Sequence, residues 1–179
     1  MAGEAPLTDT DAGLVPEAEG WFVVNARDAR WWRHDTFGSA TVFEGDDAAR
    51  FKELGILIHV LQPGQSNCMY HGENAQEDFL VLFGECLLLV EGEERPLKQW
   101  DFVHCTPMTK HVFVGAGDGP CGILMVGTRP EQEELIYPVA EVALKHNAGV
   151  ERETTSGREA YAGSGSSVAE PYREGTLPT

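Results

Sequence analysis

Between residues 54 and 128 the chain is a succession of short apolar runs separated by turn residues, and that rhythm excludes most architectures. Ile56-Leu57-Ile58-His59-Val60-Leu61, Phe79-Leu80-Val81-Leu82-Phe83, Cys86 to Val90, Leu97 to Cys105, His111 to Val114 and Gly122 to Val126 are too short for globular helices and rich in β-forming side chains. Gly84, Glu91-Gly92-Glu93-Glu94, Pro107 and Gly115-Ala116-Gly117-Asp118-Gly119-Pro120 punctuate them. Phe79 to Phe83 is apolar on both faces, as in a strand buried on both sides or in a barrel wall. Short strands at close spacing predict an all-β sandwich or barrel.

Into this pattern are set residues that bear chemistry. His71 and Glu73 lie two apart, so in a strand they point the same way. Glu77 stands at the mouth of the Phe79 run, where an unpaired carboxylate is costly and a cation shared with an imidazole is one solution. A second segment, Trp100 to Val114, reads as strand, Pro107 turn and strand, with His111 on the face of Phe113. Two histidines and two carboxylates suit a divalent first-row metal, Zn, Fe or Mn, with an open position. Read singly, each side chain is also at home as a solvated strand end or a packed histidine; the joint spacing across two segments is what points to metal.

These segments resemble the cupin superfamily over roughly residues 54 to 128. Gly64, His71, Glu77 and Gly84 fill its first motif, with one extra residue after Gly64, and Asp101, Pro107 and His111 fill its second. The match is closest to small single-domain bacterial cupins, with Cys68-Met69-Tyr70-His71-Gly72-Glu73 where those have Cys-Pro-Tyr-His-x-His. The resemblance implies a jelly-roll β-barrel, His71, Glu77 and His111 as ligands, and a homodimer. Glu73 replaces the second His of the motif, Trp100 and Thr109 replace glycines, and Gly115 replaces an Asn. Glu73 either joins the metal as a hard fourth ligand or turns away and leaves a facial set of two His and one carboxylate.

With 13 Lys and Arg against 29 Asp and Glu, the net charge of −16 repels phosphate backbones and anionic bilayers, which excludes nucleic acid and membrane surfaces as partners. A small molecule is the expected ligand. No apolar run is long enough to span a bilayer, and the N-terminus lacks the basic and apolar regions of a signal peptide, so a cytoplasmic location with Cys68, Cys86, Cys105 and Cys121 reduced is expected. The Gly115 to Pro120 loop joins two strands without a Lys, which reads as a hairpin rather than a phosphate cradle.

The expected organisation is an acidic flexible tail over residues 1–20, a barrel over 21–129, and a C-terminal arm over 130–179 with short helices and extended parts. Trp21 to Val24 reads as a strand and Asn25 to Trp32 as a short helix capped by Asn25. In the arm, Pro138 to Lys145 can form a helix, and Ser156-Gly157-Arg158-Glu159 is a capping box. Trp31 and Trp32 are candidates for stacking a ligand ring, and His59 for lining the cavity, although a packed or rim role suits each as well. Two functional classes follow: a metal-dependent enzyme of the dioxygenase, isomerase or hydrolase kind, and a non-catalytic small-ligand-binding or structural barrel.

Overall fold

A computed structural model describes residues 3–179. In chain order the strands are β1 (Leu7–Thr10), β2 (Gly13–Pro16), β3 (Trp31–His34), β4 (Gly38–Val42), β5 (Leu54–Leu61), β6 (Gly72–Glu73), β7 (Glu77–Phe83), β8 (Glu85–Val90), β9 (Glu93–Lys98), β10 (Phe102–Cys105), β11 (His111–Ala116), β12 (Cys121–Thr128), β13 (Leu135–Ile136) and β14 (Val168–Glu170). The helices α1 (Glu141–Lys145) and α2 (Gly157–Ala160) lie in the C-terminal arm. One antiparallel sheet runs β10-β7-β12-β5-β4-β3-β14 and a second runs β11-β8-β9. Residues 64–71 extend the second sheet beyond β11, through bridges Ser66–Val114 and His71–His111. This is the jelly-roll arrangement, with the described strands forming separate ladders rather than one closed ring.

Period-two alternation decides what faces inward. Phe79 pairs with Met125, and Val81 with Ile123. Ile123 in turn pairs with His59, His59 with Ala40, and Ala40 with Trp32. Leu61, Phe79, Val81, Cys86, Leu88, Phe113, Ile123 and Met125 form the main core between the sheets. On the outer side of the smaller sheet Tyr70, Leu89, Val112 and Val114 pack under Ala143 of α1 and Ala148. Glu94 of β9 holds this cover by accepting from Lys145 Nζ at 2.7 Å and His146 Nε2 at 3.0 Å.

The first correction to the sequence reading is at the N-terminus. Residues 7–16, expected as flexible tail, form a hairpin of β1 and β2 that pairs Leu7 with Pro16 and Thr10 with Gly13. Val15 is buried, Leu14 N donates to Asp28 O at 2.7 Å, and Ala5 N donates to Trp21 O at 2.9 Å. Asp9, Asp11 and Glu17 remain on the solvent side, so the acidity that suggested disorder is compatible with pairing. The second correction concerns residues 21–32. Trp21 to Val24 is not a strand, and Asn25 caps a single turn: its Oδ1 accepts from Arg27 N at 2.9 Å, and its carbonyl accepts from Asp28 N and Ala29 N. The chain then enters β3, because partners on both sides, β4 and β14, offer Trp31 and Trp32 a ladder that a short helix cannot match. Trp31 is 2% exposed, with its Nε1–H on Ala26 O at 2.8 Å.

Candidate metal centre

His71 and His111 are brought together by backbone pairing. His111 N donates to His71 O at 2.9 Å, His71 N returns a bond to His111 O at 3.3 Å, and the two rings lie 5.5 Å apart between centroids. Each ring is then oriented by the same local device. Nδ1 of His71 donates to Met69 O at 2.9 Å, and Nδ1 of His111 donates to Thr109 O at 3.0 Å. A carbonyl can only accept, so both rings are Nδ1–H tautomers and the lone pair sits on Nε2.

The two lone pairs face the two carboxylates. His111 Nε2 is 3.4 Å from Glu77 Oε2, and His71 Nε2 is 3.9 Å from Glu73 Oε2. Glu73 is placed by β6, which pairs with β13 and whose Glu73 carbonyl accepts from Met108 N at 2.6 Å. Glu77 opens β7 opposite Cys105 and Gly127, on the same inward face as Phe79 and Val81. His111 is 1% exposed and packs its ring against Phe79 at 5.2 Å.

Electrostatically the site is arranged for neutral imidazoles and is uncomfortable for its carboxylates. Burial lowers the pKa of both histidines, that of His111 to about 4. Burial, and then the charge of Glu73, push Glu77 up to about 8, while burial and Glu133 raise Glu73. The His–Glu contacts are therefore not ion pairs. A neutral nitrogen lone pair against a carboxylate oxygen repels unless a proton or a cation lies between them.

A proton on the raised Glu77 carboxyl, or a bound divalent cation, would answer that geometry. Neutral imidazoles held through Nδ1 by carbonyls, and carboxylates, are donor types that Zn, Mn or Fe would accept. Bonds of roughly 2.0–2.2 Å place neighbouring donors about 3–3.5 Å apart. The His111–Glu77 separation meets this spacing, while His71–Glu73 is wider and requires Glu73 to swing inward. Among the described residues no three His, Cys, Asp or Glu side chains stand close enough together to hold a metal ion; the four residues form two His–Glu pairs.

Other residues singled out in the sequence fall elsewhere. His59 faces the interior from β5, on the inner row, with Nε2–H donating to Phe37 O at 2.6 Å. His104 faces outward on the edge strand β10 and meets Asp78 Oδ1 at 2.7 Å. Cys68 Sγ lies behind His71, 3.6 Å from Nδ1, and burial holds its thiol protonated. Two residues of the arm escaped the sequence reading. Tyr137 packs on His71 with centroids 5.7 Å apart, Tyr161 packs on Tyr137 at 6.0 Å and on Phe37 at 5.3 Å, and Tyr161 Oη accepts from Met69 N at 3.2 Å. The Ser156 capping box locates the turn before Tyr161, with Ser156 Oγ accepting from Glu159 N, but nothing local says which surface that turn meets.

Comparison with known proteins places these elements in a family. Residues 57–127, which carry His71, Glu73, Glu77 and His111, match the cupin domain family. No curated protein matches the sequence. The polyketide cyclase RemF of Streptomyces resistomycificus shares the fold at 15% identity, with a TM-score of 0.54 over 63% of this chain and 83% of that one. A predicted oxalate decarboxylase of Thermotoga maritima does so at 19% identity and a TM-score of 0.51, over 61% of this chain and all (100%) of that one. A sugar phosphate isomerase of Silicibacter pomeroyi is 26% identical over 62% of this chain, with a TM-score of 0.48; the match spans 66% of that protein, just under two thirds of its length. Residues 57–127, whose strands carry the site, thus form a segment of the cupin domain family, and the jelly-roll is shared with the Streptomyces and Thermotoga structures.

Proposed function

We propose that this protein binds a divalent metal ion through His71, His111 and Glu77, with Glu73 as a fourth ligand, and acts on a small organic molecule held in the interior between the sheets. The observation that carries the reading is the paired histidine device: both Nδ1 atoms are committed to carbonyls two residues back, and both Nε2 lone pairs are turned toward buried carboxylates. A bound ion would supply Lewis acidity to an oxygen or nitrogen atom of the ligand. The rest is done by the chain. Met69 and Thr109 carbonyls fix the ring orientations, Glu77 and Glu73 supply negative charge, and Phe79, Tyr137 and Tyr161 keep bulk water from the rings. Isomerisation, hydrolysis and, with iron, dioxygenation are the reaction classes that such an open set serves.

The test is metal analysis of protein purified without added metal, followed by a count of water-exchangeable positions. About one ion per chain with at least one exchangeable water is the expected result. A full shell with no displaceable water removes the catalytic reading and leaves a metal-stabilised binding module; absence of metal, with no uptake of Zn, Mn or Fe, removes the metal reading.

A further inference from the structure

Outside the His–Glu set the interior opens into a cleft of about 310 Å³ between the inner face of β3–β5 and the arm around α2. Its walls include Trp32, His34, Phe37, His59, Asn67 and Tyr161. Four observations define what fits. Trp32, Phe37 and Tyr161 supply aromatic faces, with small residues such as Gly38, Ala40 and Gly165 between them. Among the described lining residues there is no Lys, Arg, Asp or Glu, so no charge is provided to meet a phosphate or carboxylate. The two histidines present one acceptor and one donor, each set by backbone. His59 spends Nε2–H on Phe37 O at 2.6 Å, leaving Nδ1 as an acceptor that is not sealed from the cavity. His34 Nδ1 accepts from Thr36 N at 3.0 Å and Phe37 N at 3.2 Å, which puts the proton on Nε2 as a donor. Finally, a layer of side chains separates the cleft from the His–Glu set: Asn67 Nδ2 lies 4.0 Å from Met125 Sδ, whose strand partner Phe79 packs on His111, and Tyr161 packs on Tyr137, which packs on His71.

We propose that this cleft takes an uncharged, planar aromatic molecule of one or two rings bearing a hydroxyl or ring N–H, its donor directed at His59 Nδ1 and its faces against Trp32, Phe37 and Tyr161. Burial lowers the pKa of His59, which keeps the ring neutral and its Nδ1 available. A phosphorylated sugar is excluded as the occupant, because the cleft brings no cation to it and the chain's charge of −16 opposes it.

The inference rests on the metal reading only in setting the cleft one layer of side chains from the metal, so its test separates the two. Calorimetric titration of the full chain, as purified and after chelation, uses 2-naphthol as the probe and glucose 6-phosphate as the counter-probe. Saturable 2-naphthol binding is expected in both preparations, with none for glucose 6-phosphate. His59→Phe keeps ring bulk and removes the acceptor; about five- to tenfold weaker 2-naphthol binding is expected, with naphthalene binding unchanged. Trp32→Ala weakens both ligands. A thermal melt of each variant confirms that it is folded before titration. Absence of saturable 2-naphthol binding, equal affinity in wild type and His59→Phe, or tighter binding of glucose 6-phosphate overturns the proposal. Naphthol binding by a protein that never takes up metal supports the cleft while removing the metal reading; metal uptake without naphthol binding does the reverse.

Discussion

At the scale of the residue, the sharpest contrast is between His111, fully buried, and His59, half-buried at the cleft, both on inward-facing rows. His111→Ala removes a lone pair that stands 3.4 Å from Glu77 at ligand spacing, and metal content measured by elemental analysis is expected to fall to near zero. His59→Ala removes a ring already committed to Phe37 O, and metal content is expected to stay at the wild-type level. Equal content in the two variants would contradict the assignment. Glu73→Gln tests the fourth position. Because Glu73 starts 3.9 Å from His71, farther than bound donors sit, a loss of about tenfold in metal affinity marks it as a ligand, and unchanged affinity leaves three. That Glu77 and His111 share the inward face with Phe79 and Phe113 was legible from side-chain alternation. Whether Glu73 turns inward was not, since it depends on the β6–β13 pairing and the Met108 bond, contacts across the chain that no local pattern encodes.

At the scale of the element, β5, β7, β8, β11 and β12 were readable from apolar runs that end where a turn residue has a steric reason to be there. By contrast Glu93 and Glu94, read as turn, open β9, and the run Leu97 to Cys105 is broken at residues 99–101 into the end of β9 and β10. Gly84 is the clearest of the turns. It turns β7 into β8 with φ 73°, and an added Cβ would lie 2.4 Å from Pro120 O. Gly84→Ala is expected to cost at least about 1–2 kcal/mol from the left-handed backbone alone, read as a fall of several degrees in the thermal midpoint. A melt within a degree of wild type would show that the turn relaxes. The N-terminal hairpin and β3 were misread for a common reason. Both depend on a partner strand, and the helix-like Asn25 cap and the acidic composition outweighed a pairing that local sequence does not reveal. The arm is the complementary case: its helices were visible as capping and composition, but its placement over the site through Tyr137 and Tyr161 was not.

At the scale of the molecule, the two ends of the family segment are tied by Arg129, whose guanidinium donates to both oxygens of Glu44, at 2.8 and 2.6 Å, and to Phe51 O. Burial alone would raise the Glu44 carboxyl; the hydrogen bonds from Arg129 and Phe51 N and the charges of Arg129 and Arg50 outweigh it and hold the group below its ordinary value. A depressed acid stabilises the fold above its unfolded value, about 4.3, and loses that contribution as pH falls through the folded value. Glu44→Gln should therefore cost about 1–3 kcal/mol near neutrality and progressively less in acid, seen as a flatter dependence of the urea midpoint between pH 7 and 3. A constant difference across that range would place the effect in packing. For the assembly we propose the homodimer that the family resemblance implies; light scattering should give twice 19.6 kDa, and a monomer at micromolar concentration removes it.

By itself the sequence determined the all-β class and most strands between residues 54 and 128, because alternation and turn chemistry are local and act wherever those residues occur. Only the tertiary structure decided that residues 7–16 pair, that Trp31 and Trp32 lie on a strand, that two carbonyls turn both Nε2 atoms toward the carboxylates, and that the arm lays Tyr161 over an uncharged cleft. Those outcomes are fixed by contacts between segments far apart in the chain, where burial and the need to satisfy backbone groups override local preference.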